Sequence, residues 1–266
     1  MPALSDRAPV GNLLRDWRQR RRLSQLDLAL EAGVSARHLS FVETGRSKPS
    51  REMVLHLAAE LDVPLRDRNQ LLMAAGFAPA FEERAVDAPE MEPVRAVLDQ
   101  VLGGHEPYPA LVVDRWWSLV AANRSVGLFM GGVAPALLEP PVNVLRLSLH
   151  PEGMAPQIVN LAEWRAHLLD RLRREVTLTA DSSLAELLAE LAGYPGGEDA
   201  DLEPVASGIA VPLRLRHEGA ELAFLSTVAT FGTAIDITVA ELSIEAFFPA
   251  DAQTAGALSA LALPER

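Results

Sequence analysis

One stretch of this chain combines side chains that suit contact with a polyanion. It reads VSARHLSFVETGRSKPS and covers residues 34–50. Within it, the Arg37 guanidinium can bond guanine O6 and N7 together, and Phe41, one helical turn later, can pack on a thymine methyl. Hydroxyl, amide and basic groups near them suit phosphate oxygens, which set register without reading sequence. The candidate contact residues are Gln25, Ser35, Arg37, His38, Ser40, Phe41, Arg46 and Lys48.

The charge of the chain is unevenly distributed. Its formal net charge is −12, yet residues 1–51 carry ten basic and five acidic side chains, whereas residues 85–266 carry eleven and twenty-five. A basic end on an acidic body indicates one surface for polyanions. A merely solvated basic face would explain the charge alone equally well.

Short helices must position the basic stretch. An apolar i, i+3, i+4, i+7 spacing in residues 10–17 predicts the first helix. Ser24 and Asp27 have the spacing of a capping box and predict the start of the second, which Gly33 ends. Ser35 begins a third helix two residues later. Two helices joined by a tight glycine turn form a helix-turn-helix.

Two further helices, at about residues 51–61 and in LRDRNQLLMAAG, complete an all-α head of five helices. The segment LSQLDLALEAGVSARHLSFVETGRSKPS resembles the phage-repressor-like helix-turn-helix of the xenobiotic-response-element (XRE) family. The resemblance covers about residues 10–77 and implies binding of double-stranded operator DNA, with the third helix in the major groove. We expect a homodimer, whose two recognition helices lie about one DNA turn, ~34 Å, apart.

Three residues of the head are not expected to contact DNA. Glu43 would repel phosphate, so we expect it to be a structural acceptor. Leu26 and Leu30 form an outward-facing apolar i, i+4 pair at positions that are usually polar in the resembled family. Either local packing or docking of a second domain or subunit explains this pair.

The domain boundary is expected in APAFEERAVDAPEMEP, which gives a helix-turn-helix domain in residues 1–82, a linker in 83–92 and a second domain in 93–266. The second domain begins with a helix in VRAVLDQVL and two short strands in ALVVDRWWSLVAAN, with Trp117 on a strand face. Helical stretches follow, then three strands in AVPLRLRHE, AELAFLSTVATF and AIDITVAELSIEAFF, and a last helix. This order predicts an α+β, PAS-like fold: a five-stranded antiparallel sheet with helices over one face.

The second domain also resembles a known family. The segments PALVVDRWWSLVAANRSVGLF, NVLRLSLHPEGM, LRLRHEGAELAFLSTVATFGTAIDITVAEL and IEAFFPAD are similar to the MmyB-like ligand-binding domain over about residues 94–261. The resemblance implies a buried apolar cavity and a fatty acid or similar lipid-like ligand.

Eight residues of this domain are candidates for ligand contact: Trp117, Asn123, Arg146, His150, Trp164, Arg214, Phe224 and Phe231. The polar members would anchor a carboxylate, since a pocket needs a few polar groups. Plain core packing is the alternative for the aromatic residues. Asn123 also suits a helix cap, and Arg146 with His150 suits a solvated stripe.

Catalytic and metal-binding patterns are not found in the sequence. Cysteine is absent, which excludes disulfides and thiolate metal sites, and none of the six histidines forms a His-x-x-x-His pair. The chain has no Gly-x-Ser-x-Gly elbow, P-loop or Gly-x-Gly-x-x-Gly. We therefore expect no enzyme, no metal and no cofactor beyond the apolar ligand.

We expect a cytoplasmic protein associated with the nucleoid. The N-terminal residues lack the order of a signal peptide, and the most apolar long run, ELAFLSTVATFGTAIDITVAEL, is interrupted by Asp236 and rich in Thr and Ser.

The sequence thus predicts a DNA-binding transcription regulator whose operator affinity responds to a small apolar, fatty-acid-like ligand. In the alternative, the C-terminal domain is a ligand-free dimerisation or protein-interaction module. A third reading, an enzyme fused to a DNA-binding head, lacks a catalytic group.

Overall fold

The computed structural model describes residues 9–196 and 210–261. The chain forms two compact units, one from the residues up to Ala85 together with Thr233–Ala240, the other from Val86–Gly232 and Glu241 onward. The return of residues 233–240 to the first unit was not expected from the sequence. The outer ends of the two predicted domains, residues 1 and 266, lie outside the described residues.

The N-terminal unit contains the five predicted helices. They are α1 (Val10–Arg20), α2 (Gln25–Glu31), α3 (Ala36–Glu43), α4 (Arg51–Glu60) and α5 (Leu65–Ala74). Serine side chains cap α2, α3 and α4 by accepting from the backbone N–H three residues later, and Ser24 forms the full capping box with Asp27. The buried core includes Leu14, Trp17, Leu28, Leu39, Val42, Val54, Leu57, Leu71 and Leu72.

Two glycines fix the geometry of the helix-turn-helix. Gly33 has a φ of +61°, a left-handed conformation that ends α2 and lets α3 begin after two residues. Gly11 of α1 lies against the end of α3, where a Cβ would stand 2.4 Å from the Val42 carbonyl oxygen and 2.7 Å from that of Glu43. This close approach sets where α3 lies relative to α1.

The C-terminal unit contains one five-stranded antiparallel sheet of order β2-β1-β5-β4-β3. The strands are β1 (Ala110–Val113), β2 (Leu119–Ala122), β3 (Leu213–His217), β4 (Ala220–Thr230) and β5 (Ser243–Pro249). Its helices are α6 (Glu92–Gly104), α7 (Val144–Leu149), α8 (Leu161–Thr179), α9 (Ser182–Ala192) and α11 (Ala252–Leu261). The short helix α10 (Ile237–Glu241) lies almost wholly in the segment 233–240, which belongs to the N-terminal unit. The predicted α+β fold with a five-stranded antiparallel sheet is confirmed.

Helices cover one face of the sheet, as predicted, and α6 packs in addition against β1 and β5 on the other face. Alternation along β1 places Leu111 and Val113 in the main core, beneath α7, α8 and α9. Ala110 and Val112 point the other way and pack in a second cluster with Leu98 of α6.

Two details of the predicted strands were wrong. Residues 237–241 form α10 rather than part of a strand, because the Asp236 carboxylate accepts from the Thr238 backbone N–H at 2.9 Å and caps a helix despite the β-branched residues. Trp117 lies in the turn between β1 and β2 with a φ of +65°, not on a strand face. Asp114 stabilises this turn by accepting from the backbone N–H of Ser118.

Candidate DNA-binding surface and ligand cavity

The outer side of α3 presents a cationic and aromatic surface. Arg37 is exposed, and its guanidinium carbon lies 5.3 Å from the centre of the half-buried Phe41 ring. Arg46 approaches the same ring, at 6.0 Å. The Arg37 guanidinium forms no ion pair with any described acidic residue, so its hydrogen-bond donors remain available to a base or phosphate.

The loop after α3 carries the other exposed cations. Gly45 ends the helix with a φ of +72°, and the Ser47 backbone N–H donates to the Phe41 carbonyl at 3.1 Å, which folds the loop back on α3. Lys48, the only lysine of the chain, is exposed and has no acidic partner among the described residues. The loop therefore adds positive charge beside the helix.

The remaining candidate contacts also lie on α2 and α3, and two of them take part in internal bonds. The Ser35 hydroxyl accepts from the His38 backbone N–H at 3.1 Å, which makes Ser35 the cap of α3. The Gln25 side-chain amide donates to Glu43 at 2.7 Å. His38 and Ser40 are half-buried. Their contacts with DNA remain predictions.

A buried ion pair joins the three helices of this surface. Arg18 of α1 donates to Glu43 through Nε at 2.7 Å and through a terminal nitrogen at 3.0 Å, and Gln25 of α2 donates to the same carboxylate. Burial opposes the charged form of Glu43, but the hydrogen bonds from Arg18 and Gln25 outweigh it and lower its pKa. Glu43 is thus a structural acceptor, as its sequence position indicated.

Leu26 and Leu30 are exposed on α2, at 59% and 72% of their full accessible areas. Local packing therefore does not explain this apolar pair within its own domain.

The C-terminal unit contains a small, mainly apolar cavity of about 50 Å³ between the sheet and the helices α7 and α8. Its walls come mainly from aliphatic, aromatic and thioether side chains. The lining residues are Leu111, Leu119, Val126, Phe129, Met130, Val144, Leu145, Leu147, Ser148, Met154, Trp164, Leu168, Leu213, Glu245 and Phe247. A larger depression of about 950 Å³ is lined in part by exposed charged residues such as Glu106 and Arg124, and so does not suit an apolar molecule.

Two polar side chains line this apolar cavity. The Ser148 hydroxyl accepts from the indole N–H of Trp164 at 3.0 Å. Glu245, on the central strand β5, accepts a hydrogen bond from Arg171 of α8. The cavity therefore combines hydrocarbon walls with one hydroxyl and one carboxylate.

Arg171 belongs to a half-buried polar cluster next to the cavity. Its guanidinium carbon lies 4.3 Å from the centre of the Trp117 ring, and the Trp117 indole donates to Glu175 at 2.8 Å. Burial raises the pKa of Glu175, although Trp117 and Arg171 favour its charged form. Burial also lowers the pKa of His167, and the nearby Arg171 and Arg174 charges add to this effect.

Trp164 lines the cavity, but the other predicted aromatic contacts do not. Trp117 is buried in the cluster with Arg171. Phe224 is fully buried behind the lining and packs edge to face on Phe129 at 5.6 Å. Phe231 packs with the second cluster, on the α6 side of the sheet.

The predicted polar anchors also lie outside the cavity lining. Asn123 neither lines it nor caps a helix: its side-chain oxygen accepts from the Ala110 backbone N–H at 3.0 Å. Arg146 forms a two-pronged pair with Glu190, which holds the pKa of that carboxyl at about 2. His150 packs edge to face on Tyr194, and Arg214 is exposed and pairs with Glu221.

Sequence reasoning missed Glu245, Ser148 and Phe247. The segment SIEAFF contained the signal, because Glu245 and Phe247 are two apart on one strand and so share a face. A carboxylate at a core-facing strand position is unusual enough to mark a candidate site.

Within the described residues, no group of His, Cys, Asp or Glu side chains is arranged to hold a metal ion. No helix in residues 9–196 or 210–261 is both long and apolar enough to span a bilayer.

Comparison with known proteins agrees with this architecture. Residues 94–261 match the family described as the MmyB-like transcription regulator ligand binding domain, and residues 14–67 match a helix-turn-helix family. A segment of 84 residues is 37% identical to the uncharacterized HTH-type transcriptional regulator RghRB of Bacillus subtilis (strain 168), and it covers 31% of this chain and 58% of that protein. The chain thus matches a little under three-fifths of that relative's length. Because the first match covers more than half of the chain, the chain belongs to the family of MmyB-like transcription regulators and carries a helix-turn-helix domain before its ligand-binding domain.

Proposed function

We propose that this protein binds operator DNA as a homodimer and that a small apolar, fatty-acid-like ligand in the C-terminal cavity changes its operator affinity. The observation that carries the DNA-binding part is the cationic surface of α3 and its loop in a chain of net charge −12. Such a role places the protein at the nucleoid, in the cytoplasm.

Arg37 is the proposed base reader, and Lys48 and Arg46 are proposed phosphate contacts. Arg37 lies in the first turn of α3, the part of a recognition helix that meets base edges in the major groove. Its planar guanidinium, packed beside Phe41, is partly fixed in orientation before DNA arrives. The Lys48 ammonium is an exposed point charge on the loop after α3, which suits a phosphate oxygen and carries no base specificity.

Ligand binding requires the cavity to enlarge. Pockets for small organic ligands usually measure ~300–1,000 Å³, whereas this cavity measures about 50 Å³. Met130 and Met154 line it, and methionine side chains adapt their shape more readily than branched ones. We propose that an alkyl chain enters by displacing these two side chains.

We propose that residues 233–240 couple the cavity to the N-terminal unit. Residues 233–240 connect β4 to β5, and β5 supplies Glu245 and Phe247 to the cavity lining. The same residues belong to the N-terminal unit, in which Asp236 pairs with Arg84 at 2.9 Å. A ligand that favours one arrangement of this segment by about 1–3 kcal/mol would change operator affinity roughly 5–150-fold.

The DNA-binding proposal is tested by selecting duplexes from a random pool and measuring affinities by fluorescence anisotropy at several salt concentrations. Arg37→Ala should cost about 1–3 kcal/mol on the selected operator and relax the preference at one base pair. Lys48→Ala should weaken binding to all duplexes and reduce the salt slope by about one.

Arg173→Ala is the matched control, because Arg173 is an exposed arginine of the C-terminal unit. Equal losses for Arg37→Ala on every duplex would make Arg37 a phosphate contact. An unchanged salt slope for Lys48→Ala would remove Lys48 from the interface.

The small size of the cavity favours a second candidate function, in which the C-terminal domain is a ligand-free dimerisation or protein-interaction module. Native mass spectrometry separates the two. A discrete extra mass released on denaturation supports the ligand proposal, whereas bare polypeptide whose unfolding temperature no alkyl compound raises supports the interaction module.

A further inference from the structure

Glu245 is the one carboxylate among the described residues that line the apolar cavity. It lies at the centre of the sheet, on the middle strand, between Leu111 of β1 and Val228 of β4. Its side chain is 91% buried. A carboxylate in such surroundings has lost most of its contact with water and needs partners within the protein or in a ligand.

The protein supplies only part of that need. Arg171 donates one hydrogen bond to Oε1 of Glu245, and Oε2 accepts none from any other described residue. A carboxylate has about four acceptor sites, so acceptor capacity remains at the cavity wall. Ser148, the other polar lining residue, already accepts from Trp164.

The charge around Glu245 decides which ligand group suits it. A second carboxylate would face Glu245 at close range in a medium of low dielectric constant, where like charges repel strongly. A protonated amine would compete with Arg171, whose charge already offsets that of Glu245. A neutral hydroxyl meets neither cost and can donate its hydrogen to a carboxylate oxygen.

We propose that the ligand of this cavity is an apolar molecule with a neutral hydroxyl group that donates a hydrogen bond to Glu245. This inference rests on the proposed function, which supplies the ligand, and it specifies the polar end of that ligand. The group at Glu245 is then an alcohol rather than the carboxylate of a free fatty acid.

Three compounds of matched size test the proposal: 1-octanol, its isomer methyl heptyl ether, and octanoic acid. The alcohol and the ether have the same composition and differ in one hydrogen-bond donor. Calorimetric titration of the full-length protein should give at least tenfold tighter binding for 1-octanol than for the ether or the acid, as expected for a buried hydrogen bond to a charged group.

Two variants assign the preference to Glu245. Glu245→Gln keeps an oxygen for Arg171 but removes the charge, and it should reduce the alcohol-to-acid preference at least tenfold. Glu175→Gln is the control, because Glu175 is a carboxylate beside Arg171 that does not line the cavity. This variant should keep the alcohol-to-acid preference of the wild type. A double variant, Arg171→Met with Glu245→Met, should bind the alcohol and the ether equally.

Each outcome is informative. Because each preference is a ratio within one variant, a general loss of folding lowers both affinities and leaves the ratio interpretable. Tighter binding of octanoic acid by the wild type, or an alcohol preference that Glu245→Gln leaves unchanged, would overturn the assignment of a hydroxyl to Glu245 and leave the apolar-ligand proposal standing. Failure of all three compounds to bind the wild type would count against both.

Discussion

Removal of either partner of the Arg18–Glu43 pair should destabilise the helix-turn-helix domain strongly. The Glu43 side chain is fully buried and that of Arg18 is 10% exposed, so neither charge can be transferred to water without moving a helix. In Glu43→Gln, the new amide nitrogen faces donors, since Oε2 accepts from both Arg18 and Gln25. A buried charge left without its partner costs about 3–5 kcal/mol.

That cost is most of the stability of a small domain, which is about 5–15 kcal/mol in total. For a domain of this size, each kcal/mol lowers the midpoint of thermal unfolding by roughly 4–8 °C, so a fall of about 12 °C or more is expected. Amide hydrogen exchange of peptides from α1 and α3 in the full-length protein measures the loss locally. The DNA affinity at a temperature where both proteins are folded gives the effect on the surface itself.

Two further variants, Arg18→Met and the double variant Arg18→Met/Glu43→Leu, test the coupling between the two residues. The double variant removes both charges and should be more stable than either single variant. Because the folded pKa of Glu43 is lowered, its contribution is present above the unfolded pKa and is lost as pH falls through the folded value. The difference in free energy of unfolding between the wild type and Arg18→Met should therefore become smaller at acidic pH. Single-variant costs below about 1 kcal/mol, typical of exposed pairs, would refute this reasoning.

Three further predictions concern other parts of the chain. Gly11→Ala should destabilise the domain and weaken DNA binding, although helix propensity alone favours Ala by about 1 kcal/mol, because the new methyl would stand 2.4 Å from the Val42 carbonyl oxygen; increased stability in urea unfolding would contradict the packing. In Glu175→Gln, the free energy of unfolding should increase relative to that of the wild type as pH rises from the unfolded pKa of Glu175 through its raised folded pKa. The reason is that only the wild type must ionise a half-buried carboxyl group over this pH range. A difference in urea unfolding that does not change with pH would argue against this cause. Asp236→Asn, which removes the ion pair with Arg84, should reduce the effect of ligand on operator affinity while leaving ligand-free affinity within about twofold; an undiminished ligand effect in anisotropy titrations would exclude this segment as the route.

Local patterns of the sequence predicted the head closely. The serine caps and glycine turns determine where α2, α3 and α4 begin and end, and each depends on atoms within a few residues of one another. Glu43 was assigned a structural role because a carboxylate on a DNA-facing helix repels phosphate. Its partner Arg18, 25 positions away in the chain, emerged only from the packing of α1 against α3.

The ligand cavity was much harder to predict, because its lining comes from distant segments. Arg146 on α7 and His150, the residue just after that helix, looked like anchors for a carboxylate. In the structure Arg146 pairs with Glu190 and His150 packs on Tyr194, and both partners are distant in sequence. The alternation of residues along β5 predicts that Glu245 faces the core. The sequence did not show where β5 begins, because residues 237–241 were assigned to the same strand, whereas Asp236 caps a helix there.

The most direct test of ligand sensing measures operator affinity with and without the material extracted from the purified protein. The protein would be denatured, extracted with organic solvent, refolded, and titrated with its selected operator before and after the extract is added back. We expect the extract to change Kd at least fivefold. Leu145→Phe, a substitution at the cavity wall, should abolish this change while preserving DNA binding. The same Kd with and without the extract, in a protein that binds its operator normally, would contradict the claim that the C-terminal domain senses an apolar ligand.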